Sequence, residues 1–413
     1  MSKWDRIVII TCITCLLSGC FDKTELEQQA FVIAVGIDQT DLQGQYNITF
    51  QVAQGQLGRG ANESSEIQEK NVTIQASDII SAKSTANTLV AREINLDQTK
   101  VLIISEELAR SGELINVLQA TTRAAAFRRG VQIIITRENA SDFLANNDPP
   151  LEIKPHKFYQ LMLQQSKSTG LIPDADIHRF FQITEGDADL FLGIYATATK
   201  LEDQKKGEED EFYAGQVPQK GEQDTQFIGS AVFKEGKMID TLTGEETRLA
   251  LMLDNTISMD DILVSLPDPK SDVHRISARL IRERKASIHV KMDGQNQAEI
   301  NVNVPIHIEL LAVPSLVDYG SDAANLQLLE EMIEEKYNQE ALALIKKTQE
   351  TYRAEPFYWS LYVRRYFKTI SDYEEADWNN NIYPNANVKV SFDMEAIRFG
   401  KVIRNTGIAE VRD

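Results

Sequence analysis

The chain has 413 residues, of which 42% are hydrophobic and 25% are charged, a composition that leaves room for two or three domains with their own cores. Its formal net charge of −19 argues against binding to nucleic acid phosphates and against electrostatic docking on anionic lipid.

The first twenty residues predict an export signal that ends in a lipid attachment site. Lys3 and Arg6 form a short basic region, and the apolar stretch 7–17 that follows is too short to span a bilayer. It ends in Leu17-Ser18-Gly19-Cys20, the aliphatic, small, small, cysteine pattern of a bacterial lipobox. We expect residues 1–19 to be removed, a diacylglyceryl group on Cys20 and a lipid-anchored protein on the outer face of a membrane. The alternative is an ordinary signal peptide, or a short anchor, with a chance cysteine.

The mature chain up to residue 200 is predicted to be an α/β unit. Its strands and helices alternate, which is the signature of a parallel sheet with crossover helices, after an initial hairpin. The predicted strands cover 31–37, 46–52, 101–104, 131–135 and 190–198. The predicted helices are one capped by Ser77, then 106–119, 141–145 and 157–168.

Residues 201–226 are rich in charged side chains and glycine, and predict an exposed linker or loop. Residues 227–413 predict an α+β region in which long helices pack on a mixed sheet. This region can divide into two subdomains, near 227–295 and 296–413. A hairpin over 227–242 and a helix over 245–253 open it. Strands over 257–264, 284–292 and 299–310, a long helix over 322–352, an aromatic-rich helix around 357–367 and a strand over 388–394 follow. The fold class is therefore α+β and multi-domain.

No catalytic, metal-binding or cofactor-binding constellation is recognisable in the sequence. The five histidines are scattered, and the nucleophile-elbow, P-loop and dinucleotide motifs are missing. We therefore predict that the protein is not an enzyme and carries no cofactor except the covalent lipid. A basic cluster, Arg123, Arg128 and Arg129, stands out in an acidic chain. Its favoured interpretation is a helix end whose arginines bind backbone carbonyls and pair with local carboxylates, and the alternative is a binding surface for lipid headgroups or an acidic partner loop.

The start of the mature chain resembles the Ger(x)C family of spore germination lipoproteins. The similarity continues in order along the chain, so it spans nearly all of the mature protein. It rests on Ser18-Gly19-Cys20-Phe21-Asp22-Lys23-Thr24-Glu25-Leu26, Ala34-Val35-Gly36-Ile37-Asp38, the stretches 100–112 and 227–234, and the closing segment with Pro356 and Trp359. Within these motifs Asp22, Glu25, Gly36, Asp38 and Trp359 have no assigned role.

The resemblance implies a non-enzymatic lipoprotein subunit of a nutrient germinant receptor. Such a subunit is anchored to the outer face of the cell membrane or of the spore inner membrane, and triggers germination by contact with two membrane-embedded partner subunits. The alternative is the substrate-binding lipoprotein of a membrane transporter. That function would require a ligand cleft between two similar lobes, whereas the two halves of this sequence have unlike patterns.

Overall fold

Two β-sheets, each with its own hydrophobic core, form the body of the protein in this computed structural model. The structure describes residues 28–53, 70–123, 127–147, 155–186, 189–201, 210–221, 225–257, 261–293 and 297–400, with Trp4 and Met259. Within these residues no helix is both long enough and apolar enough to cross a membrane.

Strands and helices alternate along the first half, whereas in the second half a run of strands is followed by the long helix α8, shorter helices and a last strand. The strands are β1 Gln29–Gln39, β2 Tyr46–Val52, β3 Lys70–Ala76, β4 Glu93–Asn95, β5 Val101–Ser105, β6 Gln132–Thr136, β7 Phe191–Thr197, β8 Gln226–Lys234, β9 Lys237–Leu242, β10 Ile262–Asp268, β11 Ser271–Ile281, β12 Ser287–Met292, β13 Ala298–Ala312 and β14 Asn387–Arg398. The α-helices are α1 Ile79–Ala86, α2 Glu106–Ser111, α3 Leu114–Arg123, α4 Ala140–Asn146, α5 Pro155–Thr169, α6 Ile177–Thr184, α7 Gly244–Leu253, α8 Ala323–Lys347, α9 Ser360–Val363 and α10 Ile370–Ala376.

The first sheet has nine strands in the order β3-β2-β1-β5-β6-β7-β8-β9, and β4 pairs with the start of β1. Strands β1, β5, β6 and β7 are parallel, as the alternation of strands and helices predicted. Their central residues are buried on both faces, which matches their continuous apolar runs. The predicted hairpin of β1 and β2 is confirmed as an antiparallel pair.

The second sheet has five strands and is built around the long strand β13. One edge of β13 pairs antiparallel with β12 along its first half and with β11 along its second half, and the other edge pairs parallel with β14. A parallel pair needs a crossover connection, and here α8 lies in that connection. Its buried face includes Tyr337, whose ring stacks on Phe392 of β14 at 5.4 Å between centroids. The α+β fold class predicted from the sequence is therefore confirmed.

The predicted boundaries at 226 and 295 do not coincide with the boundaries of the sheets. Strands β8 and β9, expected to open the second half, complete the first sheet because β8 pairs antiparallel with β7. The second sheet spans 262–398, so a division near 295 would separate β12 from β13, to which it is hydrogen-bonded. Periodicity identified these strands, but which strand each one pairs with depends on the tertiary fold.

The exposed linker or loop predicted for 201–226 is a loop before β8, but it is not exposed throughout, since residues 210–216 are mostly buried. Phe212 and Ala214 belong to the first core, and Asp210 is buried against Arg248 of α7, with 2.5 Å between carboxylate and guanidinium. The run of charges concealed these apolar positions. Residues 210–214 therefore pack between the first core and helix α7, which follows β9.

Three smaller expectations also change. The predicted helix 106–119 is broken at Gly112, whose φ of 87° ends α2 and allows α3 to start in a new direction. The cap of α1 is Asp78 rather than Ser77, since its carboxylate accepts the N–H groups of Ile80 and Ser81. The aromatic segment around 357–367 contains only the single turn α9 and a short 3-10 turn. Helices α6 and α10 and strands β4 and β11 were not predicted.

Candidate functional site at the junction of the two sheets

The three predicted site residues nearest the N-terminus, Cys20, Asp22 and Glu25, lie outside the described residues. The other three, Gly36, Asp38 and Trp359, are buried in the fold. They occupy two separate places, one under helix α4 and one at the junction of the two sheets.

Gly36 and Asp38 of β1 hold helix α4 against the first sheet. The Asp38 carboxylate accepts the backbone N–H groups of Ala140 and Ser141, at 2.5 and 3.0 Å, and so caps the helix from a distant strand. Burial raises the pKa of Asp38, and these two N–H donors oppose that rise. A Cβ on Gly36 would come within 2.9 Å of Leu144, which shows how closely α4 packs there. The motif therefore has a structural role in positioning α4.

Trp359 lies at the junction, completely buried. Its ring is 4.7 Å from that of Phe357 between centroids, and its indole N–H donates to the carbonyl of Leu253, the last residue of α7, at 3.4 Å. Trp359 therefore connects the aromatic segment to the helix that follows the first sheet.

A pair of carboxyl groups, Asp189 and Glu355, lies beside Trp359. Glu355 is completely buried and accepts the N–H groups of Phe357 and Ser360 at 2.5 and 3.1 Å, while Asp189 accepts the hydroxyl of Ser360 at 3.1 Å. The backbone also crosses the junction, since Leu190 N–H donates to the Glu355 carbonyl at 2.9 Å. Asp189 has a φ of 85°, in the left-handed region that Asp tolerates better than most residues.

The two carboxyl groups hold on to protons more strongly than isolated ones. Burial raises the pKa of Asp189 to about 6, against the pull of the Ser360 hydroxyl and of Arg364. Burial, and then the charge of Asp189, raises the pKa of Glu355 well above its usual range. The second oxygen of Asp189, Oδ1, has no N–H or O–H partner among the described residues. A proton shared by the pair would satisfy that oxygen.

Arg179 of α6 forms the outer part of the junction. Its guanidinium binds the Asp254 carboxylate at 2.7 Å and the Thr256 hydroxyl at 3.1 Å, and lies 4.3 Å above the ring of Tyr358. Burial raises the pKa of Asp254, and Arg179 opposes the rise. Arg179 therefore links α6, the crossover helix before β7, to the segment that leads into the second sheet at Asp254 and to the segment between α8 and β14 at Tyr358.

A cleft of about 270 Å³ opens beside this cluster. Its lining residues are Asn255, Thr256, Phe357, Tyr358, Leu361 and Tyr362. No group of three or more His, Cys, Asp or Glu side chains is arranged to hold a metal ion in the part of the chain that the structure describes. Chemically, the cluster is suited to holding the two sheets in one orientation, since most of its polar groups bond to each other and to backbone N–H groups.

Sequence reasoning singled out Trp359 but missed Asp189, Glu355, Arg179 and Asp254. These four residues are separated by up to 176 positions and carry no local motif. The one available signal was that Glu355 directly precedes Pro356 in a segment already recognised for its resemblance. Their convergence depends on how the two sheets dock.

Comparisons with known proteins place the chain among spore germination proteins. A family model described as "Spore germination protein N-terminal domain" matches residues 22–197, and one described as "Spore germination B3/ GerAC like, C-terminal" matches residues 228–400. The division between these models falls near the boundary predicted from the sequence, although the first sheet takes strands from both sides of it.

Individual relatives agree with this assignment. Spore germination protein B3 of Bacillus subtilis (strain 168) is 21% identical over 391 residues, which are 94% of this chain and 95% of that protein. Spore germination protein KC of the same organism is 27% identical over 146 residues, which are 34% of this chain and 35% of that protein. The crystal structure of the GerBC protein has the same fold, with a TM-score of 0.50 and 18% identity over 91% of this chain and 100% of that one.

The resemblance stated for the N-terminal and closing motifs is thus confirmed over nearly the whole length. The two family matches, one on each half, extend from Asp22 to Gly400. The chain belongs to the GerAC-like family of spore germination proteins.

Proposed function

We propose that this chain is a lipid-anchored, non-enzymatic subunit of a nutrient germinant receptor, which acts by contact with two membrane-embedded partner subunits to trigger germination. The observation that carries the proposal is the match of both halves of the chain, residues 22–197 and 228–400, to spore germination families. In this proposal the lipid anchor holds the chain on the outer face of the cell membrane or of the spore inner membrane.

The junction supports a role in protein contact rather than in turnover. Its most perturbed carboxyl group, Glu355, is completely buried and accepts two backbone N–H groups, so it is occupied in holding the fold. The Arg179 and Trp359 contacts bind the two sheets into one body. A body of this kind can pass a displacement from one partner subunit to another without an internal hinge.

The decisive experiment is a cross-linked purification of the tagged chain from spore inner membranes, with the co-purifying proteins identified by mass spectrometry. We expect two membrane-embedded subunits, one of them permease-like, and none in spores that lack the receptor's other genes. Recovery of a transporter complex, together with a rise in melting temperature on adding amino acids or sugars, would replace this proposal with that of a substrate-binding lipoprotein.

The lipid anchor is tested separately by Cys20→Ala. Two acyl chains hold a protein on a bilayer stably, so the variant should move from the membrane fraction to the soluble fraction and lose the nutrient response. The matched control is Cys15→Ala, because Cys15 precedes the expected cleavage site and should leave both properties intact. A Cys20→Ala protein that stayed on the membrane and kept full function would refute the anchor.

A further inference from the structure

The N-terminal ends of the four parallel strands meet at one edge of the first sheet. Ala34 of β1 is level with Val101 of β5, and Val101 is level with Gln132 of β6. Strand β1 begins five residues earlier, at Gln29, so the chain enters the fold at this edge. We call it the entry edge.

Exposed arginines lie along the entry edge. Arg128 and Arg129 are in the turn before β6, a turn held by the N–H groups of Val131 and His178 donating to their carbonyls. Their guanidinium groups, like that of Arg123 at the end of α3, make no hydrogen bond or ion pair within the described residues. For Arg128 and Arg129, this contradicts the favoured interpretation of the basic cluster as a helix end paired with local carboxylates.

Three carboxylates of the entry edge are, in contrast, engaged internally. Asp174 accepts the side-chain amide of Gln132 at 3.2 Å, and Asp176 caps α6 by accepting the N–H of Arg179 at 2.7 Å. Glu93 of β4 is 3.6 Å from the ammonium group of Lys83. Asp97 and Glu185 are also exposed at this edge, but Arg123, Arg128 and Arg129 outnumber them, so the net charge offered to solvent there is positive.

A second basic surface adjoins the entry edge, formed by residues 361–370. It starts at the N-terminal end of β7, where the Ser360 hydroxyl donates to Asp189 and Leu190 donates to Glu355. Its cations are interleaved with apolar side chains that remain 44–77% exposed. The cations are Arg364, Arg365 and Lys368, and the apolar side chains are Leu361, Tyr366 and Ile370.

The opposite edge of the sheet has more exposed carboxylates. Asp41, Glu107 and Asp142 are exposed there, beyond the C-terminal ends of the parallel strands, beside Arg137. The chain as a whole carries −19. An anionic surface would therefore repel most orientations of the body and attract the one that presents the entry edge.

We propose that the entry edge and segment 361–370 together face an anionic lipid surface. The proposal rests on the lipid anchor of the proposed function, because nine residue steps between Cys20 and Gln29 keep this edge within about 30 Å of the anchored lipid. Interleaved cations and apolar side chains are the composition that binds the headgroup region of such a bilayer. The basic edge thus orients a body that the anchor alone leaves free to turn.

The test attaches the mature chain, residues 20–413, to vesicles through its single cysteine, Cys20, using a maleimide lipid. This chemical tether makes the result independent of whether cells lipidate the protein, which Cys20→Ala tests. Amide hydrogen exchange is compared on phosphatidylcholine vesicles and on vesicles with one quarter phosphatidylglycerol. We expect slower exchange at 127–130 and 361–370 on the anionic vesicles only, and loss of this protection at high salt.

Charge reversal identifies the residues responsible. Arg128→Glu with Arg129→Glu should abolish the protection, whereas Arg137→Glu, an exposed arginine at the opposite edge, should leave it unchanged. Equal protection on neutral vesicles, or protection that survives the double reversal, overturns the proposal. Absence of any protection on anionic vesicles also overturns it, and leaves an acidic protein surface as the occupant of this edge.

Discussion

The buried carboxyl pair at the junction should make the stability of this protein fall as pH rises, and Glu355→Gln should remove much of that fall. In the unfolded chain both groups ionise near pH 4. In the folded protein burial raises the pKa of Asp189 to about 6, and raises that of Glu355 further with the help of the neighbouring charge. The stabilisation from their bound protons is therefore complete below pH 4 and is lost as pH rises through the folded pKa values.

The size of the effect follows from the rise in pKa. For Asp189, a change from 3.8 to about 6 corresponds to about 3 kcal/mol at 1.36 kcal/mol per pKa unit, and its partial exposure reduces this to about 2 kcal/mol. In Glu355→Gln the amide oxygen still accepts a backbone N–H, and the amide nitrogen can donate to Asp189. The variant should therefore gain stability relative to the wild type between pH 4.5 and pH 7.5, because the folded protein no longer has to release the proton of Glu355, while the contribution of about 2 kcal/mol from Asp189 remains in both proteins.

Urea unfolding at these two pH values provides the assay. Trp359 and Trp378, the tryptophans that remain after residue 19, are both buried in the second core, so their fluorescence reports on the junction. Taking the difference between variant and wild type at each pH cancels other carboxyl groups, such as Glu340, whose pKa burial raises to about 7. A difference in unfolding free energy that is the same at both pH values would refute the reasoning.

Three further substitutions test the contacts that hold the two cores, all by urea unfolding at pH 7. Asp38→Ala should cost about 2 kcal/mol because two N–H groups of α4 lose their acceptor, whereas exposed Asp41→Ala should cost almost nothing. Gly36→Val should cost about 1–3 kcal/mol by displacing α4, and an unchanged midpoint would contradict the packing described. Arg248→Leu should cost about 3 kcal/mol by leaving a buried carboxylate unpaired, against less than about 1 kcal/mol for the exposed control Arg279→Leu.

The parts of the fold that depend on local pattern were predictable. Continuous apolar runs identified β5, β6 and β7, because these strands are buried on both faces. Alternating apolar residues identified β2 and β13, because burial of one face gives a period of two. The long helix α8 was equally clear from its one-sided stripe. The elements that were missed, which include β4, β11, α6 and α10, are short or half-exposed, so their patterns are weak.

In the candidate site, too, the sequence identified some residues but not their partners. Trp359, Gly36 and Asp38 were found because they belong to ordered motifs, but their roles became visible only with the partners that the fold supplies. Asp38 caps a helix 102 positions away, a relation that no local pattern encodes. The basic cluster was noticed in the sequence, and Arg123 does lie at a helix end, but Arg128 and Arg129 lie in a turn. Whether an arginine is paired depends on which carboxylates the fold brings near it.

The sequence by itself determined the export signal and lipobox as expectations, the strands and helices with strong periodicity, and the family. Only the tertiary structure decided that β8 and β9 join the first sheet, that Asp189 meets Glu355, and that the arginines share the edge where the chain enters the fold. The physical reason is that periodicity records how far each side chain is buried. It does not record against which partner, since strand pairing, helix docking and charge convergence join residues far apart in the chain.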